Sequence, residues 1–231
     1  MTTDRDEFLA RLREVGGRAY HDKHPFHVAM NSGELSRDAL RGWVANRFYY
    51  QRNIPIKDAA IISNCPLREV RRIWIHRIHD HDGNETNEGG IQAWLRLGEA
   101  CGVSRDELLQ NRLLQPGVRF AVDAYVNFAR TEPWPVAIAS SLTELFAPDL
   151  MATRLAAFEK FYPWIDASGL DYFRRRVTQA RRDSDEALKI TLEYCDTVDL
   201  QNRAVRALEF KCELLWAILS AIDMEYRKRD V

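Results

Sequence analysis

Apolar residues recur every three to four positions along almost the whole chain, the spacing of one buried helix face. Residues 6–15 make a first helical pattern, which Gly16-Gly17 should stop. Ser36 is a good N-cap for a second, with Leu40, Trp43, Val44 and Tyr50 on one side, and Pro55 should kink or end it. A third pattern covers about residues 67–81, with Gly83 placed as its C-cap. Residues 91–100 form a short helix, and Ser104 followed by Glu107 is a capping box. Pro116 opens a helix to about residue 130. Pro133, Pro135, Pro148 and Pro163 then bracket two more, residues 136–146 and 149–161. Two long helices fill the last third, about residues 171–195 and 200–227. Period-two alternation and hairpin dipeptides are missing, so strands are not expected. With no linker and no repeat, the pattern predicts an all-α, compact single-domain helical bundle of eight to ten helices over residues 1–231.

Composition narrows the function classes. The 231 residues carry 33 Lys and Arg against 34 Asp and Glu, a net charge of −1. A nucleic-acid binder draws its affinity from a basic excess, and a polybasic membrane-surface protein needs one too, so neither partner is expected. Hydrophobic residues make up 46% with six Trp, enough to form a core and to argue against disorder. The longest nearly apolar stretch, residues 214–222, is far shorter than a membrane span. The start is polar and acidic, with no secretory pattern, and the four separated cysteines read as reduced core residues. These features predict a soluble cytoplasmic protein.

Polar residues interrupt the apolar stripes, and in a bundle such inward groups build the sites. Arg47, Tyr50 and Gln51 continue the Leu40–Trp43–Val44 face; the bland alternative has Arg47 snorkelling at its edge. Asn46 and Arg52 fall off that stripe. Lys211 lies between Ala204, Leu208, Leu215 and Ile218, where it either meets an anionic ligand or forms a structural ion pair with an acid. His81 ends the stripe Val70–Trp74–Ile78 at a helix C-terminus, where the dipole favours the imidazolium. Tyr125 sits among Val118, Val122 and Ala129, and Tyr172 and Arg176 form an i,i+4 pair that by itself is compatible with full exposure. All six histidines fall between residues 21 and 81, yet no Glu is followed three residues later by His, the pairing a di-iron bundle needs. His79-x-His81 is a weak metal pattern, and haem ligation by an N-terminal histidine stays open. Nucleotide loops and the serine nucleophile elbow are absent.

Five blocks resemble one family: WVANRFYYQ at 43–51, IPIKDAAI at 54–61, HDHDG at 79–83, PGVRFAVDAY at 116–125 and SSLTELFAP at 140–148. They are similar to the pyrroloquinoline-quinone synthase (PqqC) family, and the likeness runs from about residue 20 to 226. The resemblance implies a haem-oxygenase-like (TenA-like) fold and a homodimer. It implies the last step of pyrroloquinoline quinone (PQQ) biosynthesis, namely ring closure and multi-electron oxidation of a bicyclic amino-acid-derived quinone precursor (AHQQ). Molecular oxygen is the co-substrate, hydrogen peroxide is released, and no metal or organic cofactor takes part. By the same resemblance Arg47, Gln51, Arg154 and Lys211 anchor the polycarboxylate precursor, while Tyr50, Lys57, Tyr125, Thr143 and Glu144 line its pocket. His81, Tyr172 and Arg176 surround oxygen, with His81 as acid or base, Arg176 stabilising reduced oxygen, and His21 a proton carrier. Arg47, Arg154, Arg176 and Lys211 are expected to turn inward around an anionic ligand, with the matching acids mostly outside. One residue departs from the pattern: Met151 stands where the family commonly shows a histidine, and a thioether moves no protons. Two other readings stand beside this one, a PQQ or quinone carrier and another haem-oxygenase-like enzyme on the same scaffold.

Overall fold

The longest helices set the frame. The computed structural model describes residues 4–227, and among them eleven α-helices form and no strand. In chain order they are α1 (Arg5–Ala19), α2 (Pro25–Ser32), α3 (Arg37–Asn64), α4 (Arg68–Asp82), α5 (Gly89–Ala100) and α6 (Arg105–Leu109). Then follow α7 (Pro116–Thr131), α8 (Trp134–Ala139), α9 (Ala147–Phe161), α10 (Asp171–Tyr194) and α11 (Val198–Tyr226). α3 packs along α4 and α7, α10 along α9, and α11 along α1, α7 and α8. One aromatic core unites Trp43, Trp94, Phe158 and Phe173; a second, around Phe8, Trp74 and Leu208, joins α1, α4, α8 and α11.

Local signals explain most boundaries. Ser36 accepts the Ala39 amide at 3.1 Å and starts α3, while the Ser104–Glu107 capping box starts α6. Gly83 closes α4 with φ of 89°, a conformation side-chain-bearing residues avoid. Two expectations fail, at Gly16-Gly17 and at residues 136–146. Gly16-Gly17 does not stop α1, because Phe146 rests on Gly16 so closely that a Cβ would lie 1.8 Å from its Cζ; the glycine serves packing, not termination. Pro55 does not end α3, which continues to Asn64: the proline removes one rung, and packing on both sides holds the rest. Residues 136–146 are not one helix. Ser140 Oγ donates to the Ala137 carbonyl at 2.6 Å and Ser141 Oγ accepts from Lys57, so the chain tightens into a 3-10 turn over Ser140–Leu145. Finally, α2 had a legible signature, Pro25 at its first turn and Gly33 at φ of 80° after its end, yet the apolar spacing alone did not reveal it.

Asn46, off the apolar stripe, is fully buried nonetheless. Its amide donates to the Gly42 and Leu113 carbonyls and accepts the Gln115 amide at 2.8 Å, tying the start of α7 to α3. The four cysteines are buried and unpaired by disulfides.

Candidate active site

Side chains from six helices, from the 3-10 turn and from the link between α1 and α2 converge on one internal cavity. α3 lends Arg47, Tyr50 and Gln51; the end of α4 lends His81; the 3-10 turn lends Thr143 and Glu144. α9 supplies Met151 and Arg154, α10 supplies Tyr172 and Arg176, and His21 follows α1. Tyr20, Ile54, Trp94, Phe173 and Leu215, which sequence reasoning did not single out, complete the wall. Three expected residues stand behind it. Tyr125 stacks parallel to Tyr50, Lys211 lies between their rings, and Lys57 is held at 2.5 Å by Asp58.

Three cations in or behind this wall lack counter-ions. Among the described residues no carboxylate lies within ion-pair reach of Arg47, Arg154 or Lys211. The Arg47 guanidinium sits 3.9 Å from the centre of the Tyr50 ring, and does not simply reach out to water. Arg154, buried, donates to His27 Nε2 at 3.0 Å and covers the Trp43 ring. Burial, then the nearby Arg47 charge, lowers its pKa to about 10, so it remains a cation at neutral pH. Lys211 Nζ donates to the Tyr50 hydroxyl at 2.5 Å, which removes the structural ion pair as an explanation. Burial lowers its pKa well below the ordinary lysine value, and the charges of Lys57 and Arg47 add to that.

A second group of charges, around Arg176, is balanced, which corrects the expectation that the matching acids stay mostly outside. Arg176 is buried and binds Glu144 at 2.8 Å and Asp183 at 3.2 Å. Burial opposes its charge, but these two carboxylates more than restore it and raise its pKa. Asp183 would be raised by burial, yet Arg77, Arg176 and Arg182 hold its carboxyl well below the usual range. Arg77 and Asp58, both buried, complete the network. Sequence reasoning missed all three of Arg77, Asp58 and Asp183. The signal was present: Val70, Trp74, Arg77 and His81 share the buried face of α4, and Asp183 extends the Tyr172–Arg176–Ala180 face of α10.

His81 lies against this balanced group. Its Nδ1 faces the Arg77 carbonyl at 2.9 Å; a carbonyl only accepts, so Nδ1 carries the hydrogen and Nε2 keeps a lone pair. The expected imidazolium is not favoured. Burial and then Arg176 lower its pKa to about 4 and outweigh the carbonyl contact. His21 is likewise neutral, its pKa lowered by burial and by Arg47, with Nδ1 unpartnered. Tyr172 is buried, not exposed, and donates to Gln51 Oε1 at 2.9 Å. His79 is exposed while His81 is buried, so the two do not converge on a common ligand. Among the described residues no three His, Cys, Asp or Glu side chains gather as a ligand set.

The arrangement offers anchoring cations, a neutral histidine lone pair and phenol donors around one enclosed space. Comparison with solved structures places the fold. A TenA homolog from Pseudomonas syringae pv. tomato superposes with a TM-score of 0.78 at 12% identity, covering 96% of each chain. A domain of unknown function with a heme oxygenase-like fold from Shewanella denitrificans gives 0.75 at 13% identity, covering 96% of this chain and 91% of that one. Sequence relatives are much nearer. The pyrroloquinoline-quinone synthase of Cronobacter sakazakii is 57% identical over 96% of this chain and 88% of its own. That of Pseudomonas aeruginosa is 57% identical over 96% and 89%. The TENA/THI-4/PQQC family profile matches residues 9–221. An identity of this size over nearly full length, on a helical fold the solved structures share, means that the chain belongs to the TENA/THI-4/PQQC family and groups there with the pyrroloquinoline-quinone synthases.

Proposed function

We infer that the protein is a pyrroloquinoline-quinone synthase, an oxidase that closes the third ring of the bicyclic precursor and oxidises it with molecular oxygen. The observation that carries the reading is a set of cations without ion-pair partners, Arg47 and Arg154 in the cavity wall and Lys211 behind it, beside a neutral His81 in the same wall. Guanidinium forks and an ammonium complement the carboxylates of the precursor, and Gln51 fixes its edge. An anion bound there favours the charged form of Lys211. His81 Nε2, unprotonated at neutral pH, takes a proton from a ring carbon. Each quinol form then passes two electrons and two protons to O2, leaving quinone and H2O2. Arg176 stabilises the reduced oxygen, and Tyr172 and His21 relay protons. The reading calls on no metal or organic redox cofactor, because the substrate itself is the electron donor. Homodimeric assembly and a cytoplasmic location belong to the same proposal; among the described residues no helix is long and apolar enough to cross a membrane.

Met151 favours one rival. It lines the cavity where the family commonly shows a histidine, and its thioether leaves one proton path without a carrier, as a quinone carrier would tolerate. A single experiment separates the two: purified protein, precursor and air, followed by absorption spectroscopy and a peroxide assay. The synthase gives quinone and peroxide in air and no complete turnover without oxygen. Tight binding with no oxygen consumption supports the carrier and refutes the synthase.

A further inference from the structure

Arg77 takes no part in the cavity wall, yet it is joined to both halves of the chemistry there. Its guanidinium is 2% exposed and lies 3.6 Å from Asp58, 3.7 Å from Glu144 and 3.5 Å from Asp183. These carboxylates come from α3, the 3-10 turn and α10, so one side chain spans three elements. Two of them, Glu144 and Asp183, are the groups that hold Arg176. The guanidinium rests on the Trp74 ring, whose Nε1 donates to Asp58 Oδ1 at 2.8 Å. Meanwhile the main-chain carbonyl of the same residue receives His81 Nδ1–H at 2.9 Å.

Charge is balanced through this residue. The connected set contains Lys57, Arg77, Arg176 and Arg182 against Asp58, Asp80, Glu144 and Asp183. Four cations oppose four carboxylates, and Arg77 alone contacts three of the acids. In so buried a place an unmatched charge acts strongly on its neighbours. Removing Arg77 leaves an excess anion beside His81 and frees Glu144 to draw Arg176 away from the cavity.

We propose that Arg77 is a positioning residue of the oxidase: its carbonyl fixes the His81 ring, and its side chain braces Glu144 and Asp183 so that Arg176 faces the cavity. It acts without touching substrate. The groups around His81 are Arg176 and Tyr172 on α10, Asp58 on α3, Glu144 on the 3-10 turn and Arg77 on its own helix. Of these, Arg77 is a cation whose loss makes His81 easier to protonate.

The test uses full-length protein with Arg77→Met, Arg77→Lys and the double variant Arg77→Met with Asp58→Asn. Asp58 accepts its contacts through Oδ1 and leaves Oδ2 unpartnered, so the asparagine keeps the acceptor and restores charge balance. Turnover of the bicyclic precursor is measured across pH, and the His81 ring is titrated by nitrogen-15 magnetic resonance. In Arg77→Met, kcat falls about 10- to 100-fold through misplacement of Arg176, KM stays at its wild-type value and the His81 midpoint moves up. Arg77→Lys keeps the wild-type midpoint but loses part of kcat. The double variant returns the midpoint and keeps the low kcat. Wild-type kcat and an unmoved midpoint in Arg77→Met overturn the proposal. Should that variant fail to fold, wild-type kcat in both charge-balanced variants overturns it equally. The inference rests on the synthase reading, and the two fail differently: a wild-type protein inactive in air removes that reading, while the His81 titration still reports on Arg77.

Discussion

The two groups of charges at the cavity solve the problem of burial in opposite ways. Around Arg176 each cation has found its anion within the fold, and the result is a braced wall. Around Arg47, Arg154 and Lys211 the fold provides rings and neutral hydroxyl or imidazole groups but no carboxylate. A buried charge that is paired is costly to break, whereas one left unpaired costs stability until a ligand supplies its partner. The balanced group therefore reads as architecture and the unbalanced group as recognition.

That difference predicts effects of opposite sign. The largest belongs to the balanced group. Asp183→Asn removes the anion shared by Arg77, Arg176 and Arg182, and should lower unfolding stability by about 3–5 kcal/mol in denaturant titration, since it leaves buried cations unmatched. A loss below about 1 kcal/mol would show the network to be no more than surface-like pairing.

Next in size is an acid effect. His81 has a folded pKa of about 4 against an ordinary 6.5, so the unfolded chain binds the proton first as pH falls. Its contribution is complete above pH 6.5 and is lost between there and about pH 4, amounting to about 3 kcal/mol. His21 and His27, both buried and lowered, act in the same direction. Stability measured from pH 7 to pH 4 should fall steeply, and a flat profile would contradict the neutral histidines.

Much of this contrast was legible in the amino-acid order, and its limits are physical. Helical spacing turned Lys211, His81, Tyr50 and Gln51 inward, and the structure buries all four. The family resemblance named Arg154 and Glu144, which periodicity alone did not single out. Counter-ions were another matter. Asp58, Arg77 and Asp183 are ordinary members of a 29% charged chain, and their pairing joins elements far apart in sequence. Local patterns show which face a residue occupies; they do not show which charge from a distant helix will meet it. For the same reason Arg176 looked like a free inward cation and is a paired one. Backbone punctuation misled where packing prevailed, as at Gly16, held open for Phe146.

The most direct test is the thermal unfolding of wild-type protein and Lys211→Met, each with and without pyrroloquinoline quinone at about a hundredfold excess over the wild-type Kd. Methionine fills the space without the unpaired charge, so the variant alone should unfold at a temperature equal to or about 2–4 °C above wild type. Wild type should gain about 2.7 kcal/mol from the quinone and the variant little of it. A variant that unfolds well below wild type yet keeps the full stabilisation by the quinone would contradict the account.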